Sequence, residues 1–197
     1  MARVGEITRQ TKETKIRVRW NLDGSGQAQI NTGIGFFDHL LDALARHGHF
    51  DLEVEAQGDL HVDGHHTVED VGICLGQALN QALGERRGIT RYGWAALPMD
   101  EACILAAIDL GGRAYTRCDL DLPLVMVGGF YTGLWVEFCR ALAMEGKFNL
   151  HLEQRAGEDP HHILEGAVKA LARALSSACS IDPRVQWVPS TKGTLTQ

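Results

Sequence analysis

Residues 38–55, DHLLDALARHGHFDLEVE, align without a gap to residues 136–153, VEFCRALAMEGKFNLHLE, and this correspondence decides the reading of the chain. Downstream, 65–79, HHTVEDVGICLGQAL, matches 161–175, HHILEGAVKALARAL, after a two-residue difference in loop length. Upstream, 16–32, IRVRWNLDGSGQAQINT, and 104–120, ILAAIDLGGRAYTRCDL, each read as two strands around a Gly turn, with Gly24 and Gly26 supplying the turn of the first. The chain is therefore a duplication of a unit of about 95 residues, with the first unit expected over 1–95 and the second over 96–197, together one compact domain.

Each unit reads strand, turn, strand, helix, strand, helix. Phe36, Phe37, Leu40, Leu41 and Leu44 recur at spacings of three and four, one apolar stripe of a helix from about Phe36 to Arg46. Leu52 and Val54 alternate with Asp51, Glu53 and Glu55, which is the period of a half-buried strand. From Thr67, helical spacing returns through Val68, Val71, Leu75, Ala78 and Leu79 until Gly84. Two helices then cover one face of each sheet, an α+β two-layer sandwich in duplicate.

Composition narrows the function classes. The 197 residues carry 19 basic against 25 acidic side chains, a net charge of −6, and such a balance argues against a protein that coats nucleic acid or an anionic membrane. Any anionic ligand must be held by a local cluster of cations. The five cysteines, at 74, 103, 118, 139 and 179, are odd in number and lack finger spacing, so they read as reduced core residues. The opening MARVGEITRQTKETKIRVRW has no apolar run and no stretch reaches the length of a membrane span, so a soluble cytoplasmic protein is expected.

The most informative words are His65-His66-Thr67-Val68-Glu69 and His161-His162-Ile163-Leu164-Glu165. On a helix the Glu lies four residues after the first His and three after the second, within reach of either imidazole. Adjacent histidines diverge by about 100° around the axis, which suits two metals better than one. The repeat alignment adds His39 opposite Glu137. A symmetric grouping places His39, His65, Glu69 and His162 around one metal, and Glu137, His161, Glu165 and His66 around the other. Mixed imidazole and carboxylate donors suit Mn²⁺, Fe²⁺ or Zn²⁺ better than Cu(I) or an iron–sulfur cluster. His47, His49, His61 and His151 have no ligand-type partner in the repeat.

Together, GFFDHLLDALARHG, DGHHTVEDVG, HHILEGAVKALARAL and the terminal PSTKG resemble the imidazoleglycerol-phosphate dehydratase family across nearly the whole chain. The resemblance implies a lyase of histidine biosynthesis that dehydrates imidazole glycerol phosphate to imidazole acetol phosphate. It further implies two Mn²⁺ per chain, a duplicated fold similar to the second domain of ribosomal protein S5, and a shell of twenty-four copies with active sites between subunits. The metal ligands carried over are His39, His65, His66, Glu69, Glu137, His161, His162 and Glu165. Arg91, Arg113, Ser190 and Lys192 carry over as the phosphate site, a planar-fork and point-charge combination suited to a dianion. Glu13 and Asp100 match positions beside the glycerol chain. The chain departs from many relatives at Glu137, where they place His, and at Ala43, where they place a phosphate-side Gln.

That reaction needs metal and acid together. The hydrogen removed from carbon is not next to a carbonyl, so simple enolisation is unavailable as a first step. With both ring nitrogens of the substrate on metal, the imidazolate pushes out the neighbouring hydroxyl to give a diazafulvene-like species, and a carboxylate takes the proton from the adjacent carbon. Glu13 is the expected principal acid/base and Asp100 the second. A metal-bound water or Glu69 is the alternative.

Overall fold

The computed structural model describes residues 2–195. In the first unit β1 (Val4–Gln10), β2 (Thr14–Asn21), β3 (Ala28–Asn31), α1 (Gly35–Gly48), β4 (Asp51–Gly58) and α2 (His65–Leu83) follow one another. The second unit repeats this order as β5 (Tyr92–Met99), β6 (Ala102–Asp109), β7 (Tyr115–Asp119), α3 (Leu134–Gly146), β10 (Asn149–Ala156) and α4 (Pro160–Cys179). A short hairpin, β8 (Met126–Val127) and β9 (Phe130–Tyr131), precedes α3. The two four-stranded sheets have the same order, β1-β2-β4-β3 and β5-β6-β10-β7, each antiparallel except for its last pair.

The strands on either side of the Gly turn do form, as β2 and β3, but β4 lies between them, and the hairpin partner of β2 is β1. Neither β1 nor its repeat β5 belongs to the strand, turn, strand pattern, because an edge strand with a half-exposed face carries little apolar alternation: β1 buries only Gly5 completely. Gly5 passes so close to the Ala78 carbonyl of α2 that no Cβ fits there, and Gly93 of β5 repeats this against Ala174 of α4. A division at 95/96 falls inside β5. We propose instead that the units join in the connection between α2 and β5.

Ile16, Val18 and Trp20 of β2 and Leu52, Val54 and Ala56 of β4 point under the helices, which matches the period-two reading. Removing a Leu- or Phe-sized side chain from water contributes about 1.5–3 kcal/mol each, so the faces that carry them choose the inside. The helix layers of the two units then pack against each other across one continuous core. In α2, a Cβ at Gly72 would stand 3.0 Å from the Phe138 carbonyl and one at Gly76 2.6 Å from the Leu142 carbonyl, so these glycines let α2 and α3 approach backbone to backbone. The other pair, α1 and α4, is tied by the Arg173 guanidinium donating to the His47 carbonyl at 3.4 Å.

Both pairs are parallel, and their amino ends share one end of the molecule. Gly64, before α2, packs toward Ile34 and Leu134, which precede and open α1 and α3, while the Phe36 ring lies 4.9 Å from the His161 ring. At the carboxyl ends, fully buried Arg86 donates to the Gly146, Lys147 and Leu110 carbonyls and to Asn80 Oδ1, each at 2.8 Å. Cys74, Cys139 and Cys179 are buried, whereas Cys103 and Cys118 are half-buried; all five are free thiols.

Candidate metal and phosphate sites

Helix α4 begins where Asp159 caps it, accepting from the His161 and His162 amides, with Pro160 in the first turn. The four-residue spacing then brings His161 Nε2 to 3.1 Å from Glu165 Oε2, and His39 Nε2, arriving from α1, meets the same oxygen at 3.1 Å. Two imidazole nitrogens and one carboxylate oxygen thus lie within 4.8 Å of one another. The second oxygen, Glu165 Oε1, is held by Lys169 Nζ at 2.6 Å. Burial works to raise the Glu165 carboxyl, but the Lys169 ammonium and the His39 imidazole outweigh it and hold it at about 2. A carboxylate held low and facing two imidazoles fits a divalent cation of the Mn²⁺, Fe²⁺ or Zn²⁺ class.

The second word is more open. His65 Nε2 lies 4.0 Å from Glu69 Oε2, and Glu137 on α3 turns its Oε1 to Arg140 at 2.7 Å. The α2/α3 register is nevertheless explicit, since Gln77 Nε2 donates to Glu145 Oε2 at 2.9 Å across 68 residues. The same offset sets Glu137 level with Glu69. Within one chain, helix pairing brings His39 to His161 and Glu165 and sets Glu137 level with Glu69, whereas the symmetric grouping of His39 with His65, Glu69 and His162 is not assembled inside a single copy.

His66 and His162 point elsewhere, as the 100° divergence requires. His66 Nδ1 sits 3.0 Å from Asp59 Oδ2, and its Nε2 is 4.0 Å from Glu13 Oε1. His162 Nδ1 sits 2.7 Å from Glu101 Oε2, and its Nε2 is 3.7 Å from Asp100 Oδ2. In each case the Nδ1 carboxylate raises the imidazole pKa. Glu101 itself is held at about 2, chiefly by the Asp159 amide and then by His162. A proton kept on Nδ1 leaves the Nε2 lone pair as the free ligand atom. Glu13 and Asp100 both lie in the turn of the first hairpin of their unit, where the repeat sets Glu13 opposite Glu101.

Arg91, Arg113, Ser190 and Lys192, 101 residues apart at the extremes, line one concavity of about 730 Å³ with Trp187 and Thr191. Among the described residues neither Arg113 nor Lys192 is held in an ion pair, whereas Arg91 pairs with Asp109 at 2.7 Å. Ala43 is buried in α1 and does not line this cavity. The cavity stands at the carboxyl end of α4, where the Arg91 amide donates to the Ala178 carbonyl at 2.9 Å. Glu165 is thirteen residues away on that helix, about 20 Å at 1.5 Å per residue.

Lys169, Asp59, Glu101 and Asp109 are absent from the residues singled out in the sequence. Lys169 lies four residues after Glu165, a spacing that identifies a helical ion pair. Asp59 and Glu101 stand 7 and 61 residues from the histidines they orient, so no shared spacing signals them.

The profile of the imidazoleglycerol-phosphate dehydratase family matches residues 32–175. Imidazoleglycerol-phosphate dehydratases of Acidiphilium cryptum and Magnetococcus marinus are 56% and 54% identical to the chain, each over 99% of it and over 100% and 99% of their own lengths. Among solved structures, that of the Staphylococcus aureus enzyme of this name superposes with a TM-score of 0.82 at 32% identity, covering 91% of this chain and 99% of its own. The Pyrococcus furiosus enzyme does so at 0.82 and 36%, covering 96% and 100%.

Proposed function

The chain belongs to the imidazoleglycerol-phosphate dehydratase family, hydro-lyases that dehydrate imidazole glycerol phosphate in histidine biosynthesis, and we propose that it does so with divalent metal at sites completed by a second copy of itself. The product is imidazole acetol phosphate. The observation that carries the reading is the separation within α4. The His words lie at its amino end and the phosphate cavity at its carboxyl end, about 20 Å apart. The substrate links ring to phosphorus through about six bonds of roughly 1.5 Å, under about 10 Å in all. One chain therefore cannot hold both ends of one substrate molecule, whereas the cavity of one copy facing the histidines of another can.

His39, His161 and Glu165 would hold one ion, and His65, Glu69 and Glu137 the level of another, with His66 and His162 presenting Nε2 outward to a neighbouring copy. Two Mn²⁺ per chain suit this donor set. When bound, the metal would hold the substrate imidazole and favour its deprotonated ring. Arg113, Lys192, Ser190 and Arg91 grip the phosphate and so fix the glycerol chain. Glu13, beside the Nε2 of His66, takes the proton from carbon; the hydroxyl leaves as water, and the enol so formed becomes the ketone. Asp100, in the equivalent turn of the second unit and 3.7 Å from His162 Nε2, is the second choice for that role, with Glu69 or a metal-bound water as the remaining alternative.

The assembly proposed is a shell of twenty-four copies in the cytoplasm. Among the described residues no helix is long and apolar enough to cross a membrane, in keeping with a phosphorylated substrate. Incubating the Mn²⁺-loaded protein with imidazole glycerol phosphate tests the reading: a ketone should form without release of inorganic phosphate. Phosphate release without ketone would make the protein a metallohydrolase instead.

A further inference from the structure

The Arg91 guanidinium is already engaged before any ligand arrives. Its Nε donates to Asp109 Oδ1 at 2.7 Å and its Nη2 to Asp109 Oδ2 at 3.1 Å, a two-pronged pair. Its Nη1 donates to the Pro189 carbonyl at 2.8 Å. Pro189 directly precedes a compact turn in which the Lys192 amide donates to Ser190 Oγ at 3.1 Å and the Gly193 amide to the Ser190 carbonyl at 3.0 Å. The loop after β6 is shaped around this arrangement. A Cβ at Gly111 would lie 2.7 Å from Asp109 Oδ2, and one at Gly112, where φ is +80°, would run into the Leu195 carbonyl. Three of the five N–H groups of Arg91 are thus engaged, two by Asp109 and one by the Pro189 carbonyl of the C-terminal segment, which leaves two for a ligand.

The first unit carries an echo of the same device. Arg3, 88 residues before Arg91, pairs with Asp23 at 2.6 Å and donates through Nη1 to the Cys179 carbonyl. Leu22 donates its amide to the Arg3 carbonyl just as Leu110 does to that of Arg91. One copy of the motif pins a helix end and lines no part of the phosphate cavity. The other pins the segment that bears Ser190 and Lys192.

We propose that Asp109 is a positioning residue for phosphate recognition: it orients Arg91 so that Arg91 latches Pro189 and sets the Ser190–Lys192 turn over the cavity. This rests on the assignment of that cavity to the substrate phosphate. The isosteric change Asp109→Asn removes the charge and one acceptor of the pair while keeping its shape. In the Mn²⁺-loaded full-length protein it should raise KM for imidazole glycerol phosphate, and the inhibition constant of inorganic phosphate, by about 10- to 100-fold, the range for a group that orients a binding residue, and leave kcat largely intact. Amide hydrogen exchange over residues 186–193 should quicken. Asp23→Asn, the control for loosening of an equivalent pair, should alter neither KM nor that exchange. Unchanged KM in Asp109→Asn, or unchanged exchange of the segment, overturns the proposal. Lys192→Ala separates the two levels: weaker phosphate binding there but not in Asp109→Asn defeats the role of Asp109 alone, whereas unchanged binding in both removes the cavity assignment with it.

Discussion

His39 and Glu165 stand 126 residues apart in the chain and meet at 3.1 Å, the same offset at which Arg173 reaches the His47 carbonyl along the α1/α4 pair. The meeting of these candidate ligands is thus fixed by helix register, with one carboxylate oxygen facing two imidazoles and the other held by Lys169. Glu165→Gln should lower bound metal from about two to about one per chain, because the amide cannot supply the negative charge that a divalent ion requires. Elemental analysis after dialysis measures it, and full occupancy in the variant would remove Glu165 from the ligands.

The α2/α3 register sets Glu137 level with Glu69, and if Glu137 and His39 are counterpart ligands the two proposed sites differ by one charge. Glu137→Ala should also lower metal to about one per chain, and Glu137→His should keep about two while moving competition toward Zn²⁺, since imidazole suits zinc and carboxylate suits manganese. Equal Mn²⁺/Zn²⁺ competition in Glu137→His and the parent protein would contradict this.

If metals and the outward-facing His66 and His162 join copies of the chain, chelation should break a large particle into smaller oligomers and abolish turnover together, and Mn²⁺ should restore both. Light scattering alongside the assay decides the point. A metal-free particle of undiminished size and activity would refute it.

Glu13 is exposed in the first hairpin turn and faces His66 Nε2 at 4.0 Å, and among the described residues no Lys or Arg forms an ion pair with it. Glu13→Gln should therefore lower kcat by about 100-fold or more, with metal content and substrate KM little changed. If Asp100→Asn shows that loss and Glu13→Gln does not, the proton belongs to Asp100.

Arg86 is the only fully buried guanidinium among the described residues and satisfies three backbone carbonyls at the ends of α3 and β6. Arg86→Ala strands those carbonyls, at about 1 kcal/mol or more each, so the urea midpoint should fall by the equivalent of about 3 kcal/mol at matched protein and metal concentration. Arg86→Lys should recover only part of it, because an ammonium cannot span the fork.

Asp51 accepts from the Ser25 and Gln27 amides, and chiefly these, led by Ser25, lower its pKa below the ordinary 3.8 despite some burial. A carboxyl depressed in the folded state contributes stability above its unfolded pKa and loses it as pH falls through the folded value. The stability gap between the parent protein and Asp51→Asn should accordingly be widest near neutrality and close below about pH 4. A gap that is unchanged at pH 3 would show that the charge contributes nothing.

Periodicity and duplication are local properties of a chain, and what rests on them was legible in the sequence: α1, β4 and α2 close to their observed limits, the repeat itself, and both His-His-x-x-Glu words. Even β1 and β5, whose edge positions weaken their alternation, escaped that reading. Tertiary structure alone decided which candidate ligands meet within the chain. The pairing depends on glycines 72 and 76 admitting α3 against α2 and on the parallel register of α1 with α4, contacts between residues more than 60 positions apart. It also decided that Asp59 and Glu101 meet the second histidines and that Arg91, paired with Asp109, donates to the Pro189 carbonyl. The physical reason is the same throughout. A helix or strand is selected by neighbours three, four or two residues away, whereas a site is assembled from side chains whose proximity is paid for by burial of the whole core.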